Sequence, residues 1–342
     1  MDIFSFTKAV SIAIDLGNSN TILGNKTSTF LSQPSYIVFN SPDKSVRAVG
    51  KEAYEMAGRT GHSLKVVKPL KGGVIKDFDS ASKMLKAMVN HSYPGRALFS
   101  KFDYVVSGIP YSSTEVERRA LRDTVEQFSA SKTFLLFEPV AAAIGMGLDI
   151  RRPDGVFIAD IGGGITETAV ISLSGIVNFG SIRTAGDAFD YDIQEYVRKK
   201  YKIDISLPIA EKIKISVGAA APLTENEPEP YYAVGKDSVL GIPKGVYIGY
   251  KELLEVLNGS VQKIEQVILQ TLEECPPELS GDIYENGIYL TGGGSLLRGL
   301  RERLMARTSI PVHSDPDALV SVTKGIQRVI ENPGKYQAIL FK

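Results

Sequence analysis

One cysteine in 342 residues sets the first limits. Cys275 has no partner for an internal disulfide, so a disulfide-stapled secreted scaffold is excluded, a reducing compartment is allowed and a four-cysteine zinc site cannot form. His62, His91 and His313 are scattered without ligand spacing, and with Cys275 they read as structural. An excess of either charge is missing too. With 39 Lys+Arg against 39 Asp+Glu, no net field draws the molecule onto nucleic acid or an anionic membrane, and any such contact needs a local cause. The longest apolar run of note, Val140 to Leu148, is far short of the roughly 20 residues that a bilayer span needs. Met1 to Lys8 lacks a basic stretch followed by a long apolar core, so no secretory signal is expected there. What is present, 43% hydrophobic and 23% charged residues, argues against a disordered or fibrous chain. The length predicts two or three domains at roughly 100–200 residues each.

Two segments look like a repeat. Val10 to Asp15 is an apolar run that breaks into Leu16-Gly17-Asn18-Ser19-Asn20, and Val156 to Asp160 breaks into Ile161-Gly162-Gly163-Gly164-Ile165. Each reads as strand, Asp, apolar residue, tight glycine turn and second strand. The two aspartates lie 145 residues apart, so the pattern predicts two similar α/β domains facing each other, not a short-period solenoid. Between and after them, Phe102 to Ile109 reads as a buried strand, Ser113-Thr114 as the cap of a helix, and Thr133 to Phe137 as a further strand. Pro139 opens an Ala-rich helix that ends near Gly145. Lys251 to Gln270 has helical apolar spacing and is stopped by Pro276-Pro277. Gly287 to Leu290 reads as a strand running into Gly292-Gly293-Gly294, with a helix predicted from Leu296 to Met305.

Glycine turns between strands let backbone N–H groups crowd around an anion because no side chain blocks them. Neither a Walker loop nor G-x-G-x-x-G before a helix occurs, so the P-loop and Rossmann readings lose their signatures. Two opposed hairpins would clamp a nucleotide's phosphates while Asp15 and Asp160 hold a hydrated Mg²⁺, a cation that prefers a few carboxylates plus waters and phosphate oxygens. The third glycine turn, Gly292-Gly293-Gly294, would let a flat purine approach the backbone. The plain alternatives are two ordinary hairpins whose aspartates cap turns, and an exposed Glu211–Lys214 pair of the kind common on helices.

At these residues the chain resembles the actin-like ATPase superfamily, and within it the bacterial actins. The resemblance runs through Asp15 to Thr21, Gly72 to Phe78, Val116 to Ala120, Glu138 to Gly145, Asp160 to Glu167, Gly186 to Asp190, Cys275 to Leu279 and Thr291 to Leu297. It implies an α/β, actin-like (ribonuclease H-like) fold of duplicated domains, with subdomains IA, IB, IIA and IIB around one nucleotide cleft. Domain I would cover 1–148 with a IB insertion at about 31–74 and a return at 320–342, and domain II would cover 149–319 with a IIB insertion at about 187–250. The function implied is an ATPase, binding ATP or ADP with Mg²⁺, that polymerises into head-to-tail, paired protofilaments. These would lie on the inner face of the cell membrane, with cell-shape and wall-synthesis membrane proteins as partners and no nucleic acid, and would set rod shape.

Carried over residue by residue, Asp15 and Asp160 serve the Mg²⁺ and its waters, while Gly17, Asn18, Ser19, Asn20, Gly162, Gly163 and Gly164 hold phosphates. Glu138 orients the attacking water, in a catalytic set with Asp160 and Thr166. Glu211 and Lys214 lie beside the adenosine, and Gly292, Gly293 and Gly294 line the adenine. Two positions depart from the family. Ile165 stands where a Thr hydroxyl helps to place the water, so hydrolysis is expected to be slow, with Glu138 or Thr166 partly compensating; Asn18-Ser19 replaces Thr-Ala and keeps small hydrogen-bonding residues. Membrane contact is expected at Leu98-Phe99, apolar residues after a Pro-Gly turn and flanked by Arg96 and Lys101, in preference to the weakly amphipathic Met1 to Lys8. The competing functions are a small-molecule kinase of the same superfamily, for which no substrate motif is found, and a nucleotide-gated scaffold without significant hydrolysis.

Overall fold

The computed structural model describes residues 10–93, 101–223 and 226–342. The first half runs β1 (Val10–Leu16), β2 (Asn20–Gly24), β3 (Thr29–Pro34), β4 (Ile37–Asn40), β5 (Val46–Val49), α1 (Gly50–Glu55), β6 (Leu64–Val67), β7 (Leu70–Lys71), β8 (Val74–Ile75), α2 (Phe78–Ser92), β9 (Phe102–Ile109), α3 (Glu115–Glu126), β10 (Ala130–Phe137) and α4 (Glu138–Gly145). The second half runs β11 (Val156–Ile161), β12 (Thr166–Ser172), β13 (Gly175–Ile182), α5 (Gly186–Tyr201), β14 (Ile203–Asp204), α6 (Leu207–Val217), β15 (Tyr231–Asp237), β16 (Pro243–Ile248), α7 (Tyr250–Glu273), α8 (Pro277–Asn286), β17 (Ile288–Thr291), α9 (Leu300–Thr308), β18 (Val312–Ser314) and α10 (Ser321–Glu331).

The duplication read from two glycine turns extends to whole sheets. One sheet has the order β10-β9-β1-β2-β3 and the other β18-β17-β11-β12-β13. In both, the first three strands form an antiparallel meander and the last two add in parallel. Two three-stranded sheets, β5-β4-β6 and β14-β15-β16, lie in the intervening chain. The helices α4 and α10 sit between the large sheets. Their shared core takes Ala13, Val106 and Leu136 from one sheet and Ile158, Ala169 and Ile171 from the other, around Val140, Ala143, Ile326 and Val329. β12 is buried along its whole length because that core covers one face and α7 packs on the other.

Local signals explain most boundaries. Thr114 caps α3, accepting from the Glu117 amide while the Glu117 carboxylate accepts from the Thr114 amide. Pro139 sits in the first turn of α4. The helix expected from Leu296 is the main local difference. Gly293–Leu296 forms a single 3₁₀ turn and α9 starts only at Leu300, because Gly292 and Gly299 stand at φ +79° and +75° and break the helical path on either side.

Candidate functional site

The turns of the two repeated hairpins meet across one cavity of about 640 Å³. A side chain at Gly163 would run into the Ser19 hydroxyl, and a Cβ at Gly164 would lie 2.6 Å from the Asn18 side chain, so the turns approach this closely only as glycine. Gly17 has a similar reason, since a Cβ there would stand 2.6 Å from the Asn20 carbonyl oxygen. The N-terminus of α5 is tied to the second turn by Gly186 and Asp187 amides donating to the Gly162 and Gly163 carbonyls. The cavity wall thus presents backbone amides and bare Cα atoms where a polyanion would lie.

Three carboxylates form the floor. Asp15 projects from β1, Asp160 from the matching position of β11, and Glu138 is the first residue of α4, at the positive end of that helix. Desolvation pushes Asp15 up to about 7. Asp160 is also pushed up to about 7, first by burial and then by the charges of Asp15 and Glu167. Glu138 is raised well above the usual carboxylate range, by burial and then by Asp15, Glu167 and Asp160. Three desolvated acids, of which Asp15 raises the other two, are the chemistry that a divalent ion would relieve. Among the described residues no three His, Cys, Asp or Glu converge closely enough to ligate a metal by themselves. That fits Mg²⁺, which keeps several waters and phosphate oxygens, better than an ion needing a full protein cage.

These raised values fix a pH dependence. An Asp held near 7 in the fold and at 3.8 when unfolded keeps its proton only in the folded chain between those values, so its stabilisation is present at low pH and lost as pH rises towards 7. The ligand-free protein is therefore expected to melt at progressively lower temperature from pH 5 to pH 7, and Mg²⁺ with nucleotide to flatten that slope while expelling protons. Calorimetric titrations at about pH 6 in two buffers of different ionisation enthalpy check this; identical apparent enthalpies would contradict it.

The far end of the cavity is built from α6 and the third glycine turn. Glu211 and Lys214 share one face of α6 and both line the cavity, but they do not pair with each other. Lys214 Nζ reaches Asp190 Oδ1 at 2.9 Å and donates to the Gly186 carbonyl, while Glu211 accepts from the Tyr54 hydroxyl at 2.6 Å. Gly292, Gly293 and Gly294 all line the cavity, and a Cβ at Gly294 would stand 2.5 Å from the Ile161 side chain.

Of the expected residues, Asp15, Gly17 to Asn20, Glu138, Asp160, Gly162 to Gly164, Glu211, Lys214 and Gly292 to Gly294 converge on this one cavity. Thr166 does not, and its expected compensating role is corrected here. Strand alternation turns Ile165 into the cavity and Thr166 away from it, where Thr166 is fully buried and its hydroxyl donates to the Thr184 carbonyl at 2.7 Å. Ile165 packs over the bare Cα of Gly73, where a Cβ would come within 2.7 Å of it. Leu98 and Phe99 lie outside the described residues.

A cluster that no spacing in the sequence points to bridges the cleft. Asp187, at the start of α5, accepts from Lys68 at 2.8 Å, from the Asn18 amide at 2.6 Å and from Ser19, and so ties the first turn and the β6 end to the second half. The Gly186-Asp187 motif was the available signal, but its partners lie 119 and 169 residues away.

A family model described as MreB/Mbl protein matches residues 9–338. The chain is similar to the cell shape-determining protein MreB of Escherichia coli K12, 40% identical over 326 residues that cover 94% of this chain and 93% of that one. It is 38% identical to the cell shape-determining protein Mbl of Bacillus subtilis, over 96% and 97% of the two chains. The fold matches the crystal structure of MreB5 of Spiroplasma citri bound to AMPPNP with TM-score 0.90 and 34% identity, covering 97% of this chain and 98% of that one.

Proposed function

The chain belongs to the MreB/Mbl family, and from that membership we propose that it binds ATP with Mg²⁺ between its two large sheets, hydrolyses it slowly, and assembles head to tail into paired, membrane-associated filaments that organise wall synthesis and set rod shape. The observation that carries the nucleotide site is the meeting of two side-chain-free hairpin turns over Asp15, Glu138 and Asp160 in one cavity of about 640 Å³. The similar MreB5 structure bound to AMPPNP supports the same ligand class. The two sheets and their shared helices support the division into domain I, 1–148 with 320–342, and domain II, 149–319.

In this reading Asp15 and Asp160 hold the waters of the Mg²⁺, and the amides of both turns take the phosphates. Mg²⁺ supplies charge neutralisation on the phosphate oxygens. Glu138 would accept a hydrogen bond from the attacking water and turn it in line with the terminal phosphate, and a cation over the acidic floor would favour its ionised form. Ile165 offers no hydroxyl to that water, which favours slow turnover and, as a second reading, a scaffold gated by nucleotide binding alone. A positioning hydrogen bond is worth on the order of 1–3 kcal/mol, so Ile165→Thr is expected to raise the single-turnover rate about tenfold. An unaccelerated mutant would refute the idea.

Among the described residues no helix is long and apolar enough to cross a membrane. Membrane contact is assigned to Leu98 and Phe99, whose burial at roughly 1.5–3 kcal/mol each is too weak to hold one molecule and sufficient when a filament repeats it. Leu98→Ser with Phe99→Ser is expected to abolish co-sedimentation with anionic liposomes while leaving filaments intact; unchanged co-sedimentation would move the contact elsewhere. The function as a whole is tested by nucleotide-dependent pelleting with electron microscopy. Filaments with Mg-ATP support it, and a soluble protein that phosphorylates a small molecule would replace it.

A further inference from the structure

Glu167 is a buried carboxylate, 3% exposed, that the nucleotide reading does not use. It faces Asp160 across the second hairpin, as Ile22 faces Asp15 across the first. The same fold is therefore built with isoleucine at this position, and burying a carboxylate in its place carries a desolvation cost that the hairpin itself does not require.

Its bonds lead to the other half of the molecule. One oxygen accepts from the Ser112 amide at 2.9 Å and the Ser112 hydroxyl at 2.6 Å, and the other accepts from the Tyr111 amide at 3.0 Å. Those residues form the turn between β9 and α3. The Tyr111 ring stands edge-on to Phe137, with ring centroids 4.7 Å apart, and Phe137 is the residue before Glu138. Phe179 of β13 packs on Tyr111 with centroids 4.6 Å apart, and Arg118 lies over Phe137 while donating to the Tyr111 carbonyl. The turn is thus fixed at its amides by Glu167 and at its ring from two sides.

We propose that Glu167 is a positioning residue for hydrolysis: it ties the second phosphate hairpin to the Tyr111-Ser112 turn and, through the Tyr111–Phe137 contact, sets the place of Glu138. The phosphates and the water-orienting carboxylate then share one rigid frame, because the turn at Gly162 to Gly164 and Glu167 belong to the same hairpin. Misplacement by about an ångström is enough to cost on the order of 100-fold in rate without a lost ligand contact. The inference rests on the reading of Glu138 as the group that orients water.

Single-turnover hydrolysis, ATP affinity and thermal unfolding of the full chain test it in Glu167→Ala, Glu167→Gln, Tyr111→Leu and Glu138→Ala. Glu167→Ala and Tyr111→Leu are expected to bind ATP within about twofold of wild type and to hydrolyse it at least about tenfold more slowly. Glu167→Gln, which keeps one acceptor, should recover part of the rate. Adding Glu167→Ala to Glu138→Ala should slow the reaction no further, as for residues acting as a unit. Folded Glu167 variants with wild-type rates beside a slow Glu138→Ala overturn the proposal and leave the Glu138 reading standing. A fast Glu138→Ala overturns that reading and the proposal with it. Equal losses of rate and affinity make Glu167 a structural prop and also overturn the proposal. If Glu167→Ala does not fold, Glu167→Gln and Tyr111→Leu decide by the same criteria.

Discussion

Glu138→Ala is expected to slow ATP hydrolysis by about 100- to 10,000-fold, the range for loss of a positioned acid or base, with ATP affinity nearly unchanged and thermal stability undiminished. The combination follows from what surrounds the side chain. Glu138 is raised well above the usual range by burial and then by three other carboxylates, so in the ligand-free protein ionising it is costly, and its removal takes away a buried acid that the fold does not favour in its charged form. None of its contacts is needed to keep α4 in place, since that helix starts from Phe137 and Pro139 and packs through Val140, Ala141 and Ile144. Activity and stability therefore move apart, as expected where an acidic floor is kept for its chemistry at the expense of stability. Rate, affinity and melting temperature of the one variant check all three statements. A parallel fall in affinity would mean that Glu138 holds the phosphates or the metal and not the water.

The site was legible where its chemistry is local. An aspartate at the end of an apolar run, followed at once by a glycine turn, is a short-range pattern, and finding it twice identified both halves of the cleft and, through register, both floor aspartates. Pro139 marks the start of α4, but the role of Glu138 beside it comes only from the family resemblance. Thr166 lies off the cavity for a local reason as well, since alternation sends Ile165 and Thr166 to opposite faces and a motif taken residue by residue does not carry that alternation. What no spacing encodes is partnership at long range. Asp187 meets Lys68 and Asn18, and Glu167 meets Tyr111 and Ser112, only after two sheets have folded and closed on each other. The α9 start has no spacing signal either, because it is decided by the left-handed φ values of Gly292 and Gly299, which interrupt the helical path expected from Leu296.

The other large effect is expected at a glycine that carries no chemistry. Gly325, in the middle of α10, faces the backbone of α4 so closely that an added Cβ would collide with the Ala141 carbonyl, and Gly145 of α4 meets the Ser321 carbonyl in the same way. Neither position has the positive φ that would itself exclude alanine, and in an exposed helix glycine to alanine gains about 1 kcal/mol. Here the crossing reverses the sign. The obstacle is backbone on a second helix, not a flexible side chain, so Gly325→Ala must separate α4 from α10 and open the core they share with both sheets. A cost at or beyond the upper end of the about 1–3 kcal/mol typical of overpacking is expected. Because those two helices lie between the sheets that carry Asp15 and Asp160, separating them also spreads the two turns, and nucleotide affinity should fall with stability. Gly259→Ala in α7 is the control: nothing lies within 4 Å of a Cβ there, so that variant should be as stable as wild type or more so. Urea unfolding and nucleotide titration of the pair decide the matter, and a Gly325→Ala protein with wild-type stability would show that the helices can part without cost.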